Sequence, residues 1–229
     1  MTAAPGDRAR SPDSGAATAH RHTAATLVVV VGPSPLPPRP LRTTARRPQN
    51  RRLSRTGTAM LPLDPSALRA SLVNASRKEA SDMTPPPDLG SLDWEQLDLL
   101  GWRDPKLPRR AYVVLPGHPD DDDRPRGVLL RQAEAVPRRR AQCAWCQDVT
   151  LPNDVVFYAA RRAGAAGRVG ATVGTLLCRD FECSRNVRVL PPLAYEGFDR
   201  EAARQQRVAV LRERSRAFLL AVLGDEHAG

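Results

Sequence analysis

Apolar residues recur with a recognisable period only after Met60. Asp64-Pro65 suits a helix start, aspartate as cap and proline in the first turn. Leu68, Leu72, Val73 and Ser76 then share one helical face, which predicts a helix running out before Pro85-Pro86-Pro87. Asp93 to Leu97 reads as a second short helix, with Gly101 as its stop. Four β-type runs follow: Tyr112–Leu115, Val128–Leu130, Asp154–Ala159 and Thr172–Leu177. A loop containing Pro116, Gly117 and Pro119 joins the first two, and a glycine-rich stretch from Arg161 to Gly170 joins the last two, which predicts two hairpins. The final element is an amphipathic helix over about 199–223, capped near Asp199 and carrying Val208, Leu211, Phe218, Leu219 and Val222 at helical spacing. Its charged face is expected to meet solvent. The pattern as a whole gives an α+β domain.

Residues 1–59 lack any such period. They are rich in Ala, Pro, Arg and Thr, with a polyproline-like stretch from Pro33 to Pro40, and read as a disordered leader. Two accounts of the leader stay open. One is an upstream mis-start with Met60 as the true first residue; the other is a proline-rich ligand or basic targeting arm. The leader also decides what the charge means. The chain has a formal net charge of +10, yet residues 1–59 hold ten arginines against the two acids Asp7 and Asp13, and the remainder holds 25 basic against 23 acidic residues. The patterned part is therefore nearly neutral, and the basic balance does not by itself make it a nucleic-acid binder. The longest apolar run near the start, Leu27–Val31, is far below the roughly 18 to 20 residues needed to cross a bilayer.

The candidate chemistry lies in the cysteines. Cys143-Ala-Trp-Cys146 has the spacing of a zinc knuckle, and Cys178-Arg-Asp-Phe-Glu-Cys183 supplies a second close pair. Four thiolates complete a closed tetrahedral shell with no position left for water or substrate, the structural form of a zinc site. This reading is favoured over two disulfides, an iron–sulfur cluster or unrelated buried thiols; metal-spaced thiols also point to a reducing, cytoplasmic setting. A knuckle, a hairpin and then cysteines at the start of a short helix near Asp180–Val187 form the treble-clef plan, expected at about 141–190. No catalytic constellation accompanies it. His20 and His22 fall in the leader, His227 at the end and His118 in the proline loop, while Asp120–Asp123 lack the spacing of a calcium loop. The glycines of the 161–170 stretch precede a strand and not a helix. A non-enzyme is expected.

Four stretches carry a resemblance: Ser71–Ser76, Leu92–Pro105, Arg162–Arg168 and Val173–Ser184. Through them the chain, from about Leu68 to Leu223, resembles the C-terminal treble-clef zinc-finger (FBP) domain of elongation factor G-binding proteins, which include the fusidic acid resistance proteins of the FusB type. The resemblance implies a single domain over 60–229, one structural Zn2+ held by Cys143, Cys146, Cys178 and Cys183, and a protein that binds elongation factor G and promotes its release from the ribosome. Resistance proteins of this type carry a helical bundle before the finger. Only about 80 residues separate Met60 from Cys143 here, so that bundle is expected to be missing.

Arg161, Arg162, Arg168, Arg179, Arg185 and Arg188 surround the finger in sequence and form the candidate partner-facing surface. The competing reading is an RNA- or ribosome-binding finger, in which these arginines meet phosphate while Trp145, Phe157 or Tyr158 stack on bases.

Overall fold

The computed structural model describes residues 26–27, 60–119, 122–134, 141–148 and 154–224. Strands β1 (Thr26–Leu27), β2 (Leu100–Arg103), β3 (Arg110–Leu115), β4 (Arg126–Gln132), β5 (Val155–Arg161) and β6 (Thr172–Cys178) form one sheet in the order β1-β6-β5-β4-β3-β2. From β2 to β6 every pairing is antiparallel, and β1 pairs in parallel with the start of β6. Both expected hairpins are present, as β3–β4 and β5–β6, but the glycine-rich connection of the second, expected to lead only into a strand, coils into the short helix α3 (Gly164–Arg168). Apart from β1, the expected disordered leader lies outside the described residues.

Helices α1 (Pro65–Ser71) and α2 (Arg77–Ser81) replace the single first helix that the apolar spacing predicted. Asp64 caps α1 as expected, accepting from the backbone N–H groups of Ser66 and Ala67. The break comes from what Leu72 to Ser76 do instead of coiling. Leu72 forms a parallel bridge with Gly127, and the Val73 N–H donates to the Gly127 carbonyl at 2.9 Å. Asn74 then stands in for a strand: it donates to the carbonyls of Leu129 and Arg161 and accepts from the Leu129 N–H. Only Arg131 and Gln132 of β4 pair directly with β5, so Asn74 satisfies the backbone where the two strands part. Ser76 opens α2 with a reciprocal capping box to Glu79, a Ser-x-x-Glu signal that was present in the sequence. Gly127 is needed for this docking, since a Cβ there would lie 2.5 Å from the Ser71 hydroxyl.

Two cores lie on opposite faces of the sheet. Ala111, Val113, Leu115, Val128 and Leu130 join the four cysteines and the long helix α5 (Arg200–Leu223), whereas Tyr112, Val114 and Leu129 face Met60, Leu68, Met83 and Trp102. β3 is therefore buried on both sides, which explains its unbroken apolar run. The segment Trp94–Gln96 is a single 3-10 turn, and Gly101 does not stop it but lies within β2. A Cβ on Gly101 would sit 2.4 Å from the Phe181 ring, so glycine here lets the finger press against the sheet.

Candidate metal centre

Each cysteine pair is shaped by one residue in the left-handed backbone region. After Cys146 the chain turns at Gln147, whose φ is 52° and whose N–H donates to the Cys143 carbonyl. After Cys178, the last residue of β6, it turns at Phe181, whose φ is 60° and whose N–H donates to the Cys178 carbonyl. That turn delivers Cys183 to the first position of α4 (Cys183–Arg188), three residues later than the helix start expected from the sequence. The Phe181 ring stacks on Tyr158 with centroids 5.2 Å apart. The Tyr158 hydroxyl donates to the Arg179 carbonyl at 2.8 Å, and burial pushes its phenol up to about 12, so it remains a donor at neutral pH. The knuckle is pinned separately: the Ala144 N–H donates to the Leu176 carbonyl of β6, and Trp145 meets Phe218 of α5 edge-on.

These turns bring all four sulfurs together. Cys143, Cys146, Cys178 and Cys183 are buried, and their Sγ atoms lie within 4.8 Å of one another. Cys143 and Cys183 are 3.7 Å apart, Cys146 and Cys178 3.6 Å. A tetrahedron with metal–sulfur bonds of about 2.3 Å has edges of about 3.8 Å, whereas a disulfide would need sulfurs about 2.05 Å apart. The four sulfurs therefore fit one tetrahedral Zn2+ and no cystine, and the cysteines are free of disulfides. Unassisted, sulfurs this close cannot all be anions. Hydrogen bonding to Cys146 and its neighbours pulls the Cys143 thiol down, and sharing with Cys143 and Cys146 pushes Cys178 and Cys183 up. A divalent cation removes that conflict by binding four thiolates at once.

The residues supporting the site were the ones sequence reasoning missed. The arginines of α5 do not simply face solvent as expected. Arg214 donates to the Ala144 carbonyl of the knuckle, Arg207 to the Asn186 carbonyl and Asp148, and Arg212 to Asp98. Asp98 is completely buried and also pairs with Arg188 of α4. Its backbone N–H donates to the Ser184 hydroxyl. Nothing local in the sequence announces these contacts, because the partners lie 21 to 114 positions apart.

The six candidate arginines do not form one patch around the metal. Arg161 pairs across the hairpin with Thr172, and Val155 with Cys178, so Arg161 and Arg179 sit at opposite ends of β5–β6. Six residue steps separate these ends, about 20 Å. Arg161, Arg162 and Arg168 lie at the end remote from the cysteines, and Arg179, Arg185 and Arg188 at the near end. Several are occupied: Arg161 by Glu79, Arg179 by Asp154 and Arg188 by Asp98. Arg168 and Arg185 are exposed. Of the aromatic candidates for base stacking, Trp145 and Tyr158 are buried in the core, and Phe157 is half-buried with its ring lying over Gly174. His118 and Asp122–Asp123 fall in the β3–β4 loop, where Asp122 pairs with Arg124 and Arg126; His20, His22, His227 and Asp120–Asp121 lie outside the described residues. Among the described residues no helix is long and apolar enough to cross a membrane.

Neither the curated proteins nor the solved structures contain a match to this chain. The family model described as FBP C-terminal treble-clef zinc-finger matches residues 67–222, a span that takes in the docking motif at Ser71–Ser76, both hairpins, all four cysteines and nearly all of α5. With the ligand geometry and the match in agreement, the chain belongs to the FBP C-terminal treble-clef zinc-finger family.

Proposed function

We propose that the protein binds translation elongation factor G in the cytoplasm and promotes its release from the ribosome, including when fusidic acid has stalled it, without catalysing a reaction itself. The choice of elongation factor G rests on the family to which the chain belongs. One observation carries the choice of a protein partner over RNA. Val189, Leu190, Leu193 and Tyr195 lie within seven residues of one another directly after α4, and all four are exposed, Leu193 by 69% and Tyr195 by 66%. Arg207 and Arg200 hold this strip in place by donating to the carbonyls of Val189 and Pro191. An ordered, exposed apolar strip suits a protein surface. Of the rings read as base-stacking candidates, Trp145 and Tyr158 are buried and Phe157 is half-buried, while the exposed ring of Tyr195 lies among aliphatic side chains and packs edge-on against Phe198, which suits apolar packing over base stacking. The zinc holds this surface and takes no part in chemistry, since four protein ligands leave it no open position.

The test is co-elution of the zinc-loaded full chain with purified elongation factor G, followed by release of the factor from ribosomes stalled with fusidic acid. Leu193→Asp is expected to weaken the complex at least tenfold while zinc content is unchanged. Arg168→Glu and Arg179→Glu ask separately whether the two ends of the hairpin take part. A wild-type chain that ignores the factor but binds ribosomal RNA with steep salt dependence would refute the proposal in favour of the RNA reading.

A further inference from the structure

Asn186 lies on α4, three residues after the ligand Cys183, and is fully buried. Its side-chain nitrogen is 3.7 Å from Cys178 Sγ and 3.9 Å from Cys146 Sγ, both within reach of an N–H···S hydrogen bond to the large sulfur atom. These two sulfurs come from different cysteine pairs. A carboxamide offers two N–H donors, one for each. The side-chain oxygen has no hydrogen-bond partner among the described residues. An orphaned buried carbonyl costs about 1–3 kcal/mol, so something must favour this orientation of the amide. Turning it over would aim an oxygen lone pair at two anionic sulfurs. The backbone around Asn186 is fixed as well: its N–H donates to the Glu182 carbonyl, and its own carbonyl accepts from Arg207, which is paired with Asp148.

We propose that Asn186 is a positioning residue of the metal centre, donating one amide proton to the Cys146 sulfur and one to the Cys178 sulfur. It thereby joins the knuckle to the hairpin and withdraws charge from two of the four thiolates. Donors of this kind around a metal typically account for 10- to 100-fold in metal affinity. The cobalt-substituted full chain gives a signature that packing alone would not move. Asn186→Leu keeps the side-chain volume but cannot donate, and its sulfur-to-cobalt charge-transfer band is expected to shift to lower energy. Transfer of zinc to a chelator should quicken by about tenfold or more. Asn186→Asp, isosteric but acceptor-only, should release zinc faster still. If neither variant folds, the wild-type chain decides: loaded with cadmium-113 and labelled with nitrogen-15, it should show scalar coupling between the metal and the Asn186 side-chain protons. No coupling would overturn the proposal, as would faster release in the Leu variant with an unmoved charge-transfer band, which assigns Asn186 to packing alone.

Discussion

Replacing Asp98 with alanine is expected to cost far more than a surface charge would. The carboxylate is wholly buried, and it is met by Arg188, whose side chain is 18% exposed, and Arg212, whose side chain is 33% exposed. Removing one partner of a buried pair typically costs 3–5 kcal/mol, because the remaining charge stays buried without compensation. Here both guanidinium groups can partly reach water, and Arg188 keeps a bond to the Ser184 carbonyl, so the cost is shifted down by about 1 kcal/mol, to about 2–4 kcal/mol. In a domain of this size about 3 kcal/mol lowers Tm by roughly 6–12 °C. The assay is urea unfolding with zinc in excess, so that metal loss does not add a second transition. Arg212→Ala alone should cost less, about 1 kcal/mol, because Arg188 still neutralises the carboxylate. The double variant Asp98→Ala, Arg188→Ala should then cost clearly less than the sum of its parts. A loss below about 1 kcal/mol for Asp98→Ala, or additivity in the cycle, would refute the idea that this carboxylate bolts α4 and α5 to the sheet.

Metal removal should unfold the finger: the protein is expected to hold one zinc per chain by elemental analysis, and chelation or Cys178→Ser should remove both the metal and the thermal transition of the domain. Glu79 gives a pH dependence. Burial pushes its carboxyl up, but the Ser76 backbone N–H and hydroxyl and the Arg161 guanidinium outweigh that and hold it at about 2, below the ordinary 4.5. A lowered carboxyl contributes stability above its unfolded pKa, so the wild type should exceed Glu79→Gln by about 1–2 kcal/mol at pH 7, allowing for the half-exposed Arg161. That advantage should shrink as pH falls from about 4.5 to about 2. An unchanging difference would show that Glu79 acts by shape alone. Gly101→Ala must displace Phe181, at a cost of about 1–3 kcal/mol. Because Phe181 sits between two ligands, faster zinc release is the expected companion effect, and wild-type release with full stability would show that the ring yields freely.

The parts of this molecule legible in its sequence are those set by neighbouring residues. Cysteine spacing located the metal site, short β-type runs joined by proline- and glycine-bearing loops located the hairpins, and Asp64 and Asp199 marked two helix starts that each side chain does cap. The first helix was misread because helical spacing from Leu68 to Ser76 coincides with a chain that leaves the helix to let Asn74 pair with β4 and β5. A long-range partner overrode the local period there. Gly101 was misread in the same way, as punctuation, when its role is to admit Phe181. Charge misled most: arginine patterning cannot distinguish a side chain bound for solvent from Arg207 or Arg212, which turn inward to acids remote in sequence. Two of the three aromatic candidates failed for a related reason, since in a chain with few rings the core claims Trp145 and Tyr158 and leaves Phe157 half-buried.

The β5–β6 hairpin also acts as a ruler for any complex the protein makes. Its two arginine-bearing ends are about 20 Å apart, so substitutions at Arg168 and Arg179 report on separate places and their effects on affinity should add. An interface of ordinary size, about 800 Å² on each partner, is roughly 30 Å across and can cover both ends at once. A small docking site reaches only one. The pattern of single and double charge reversals therefore measures the breadth of the partner's footprint without a structure of the complex.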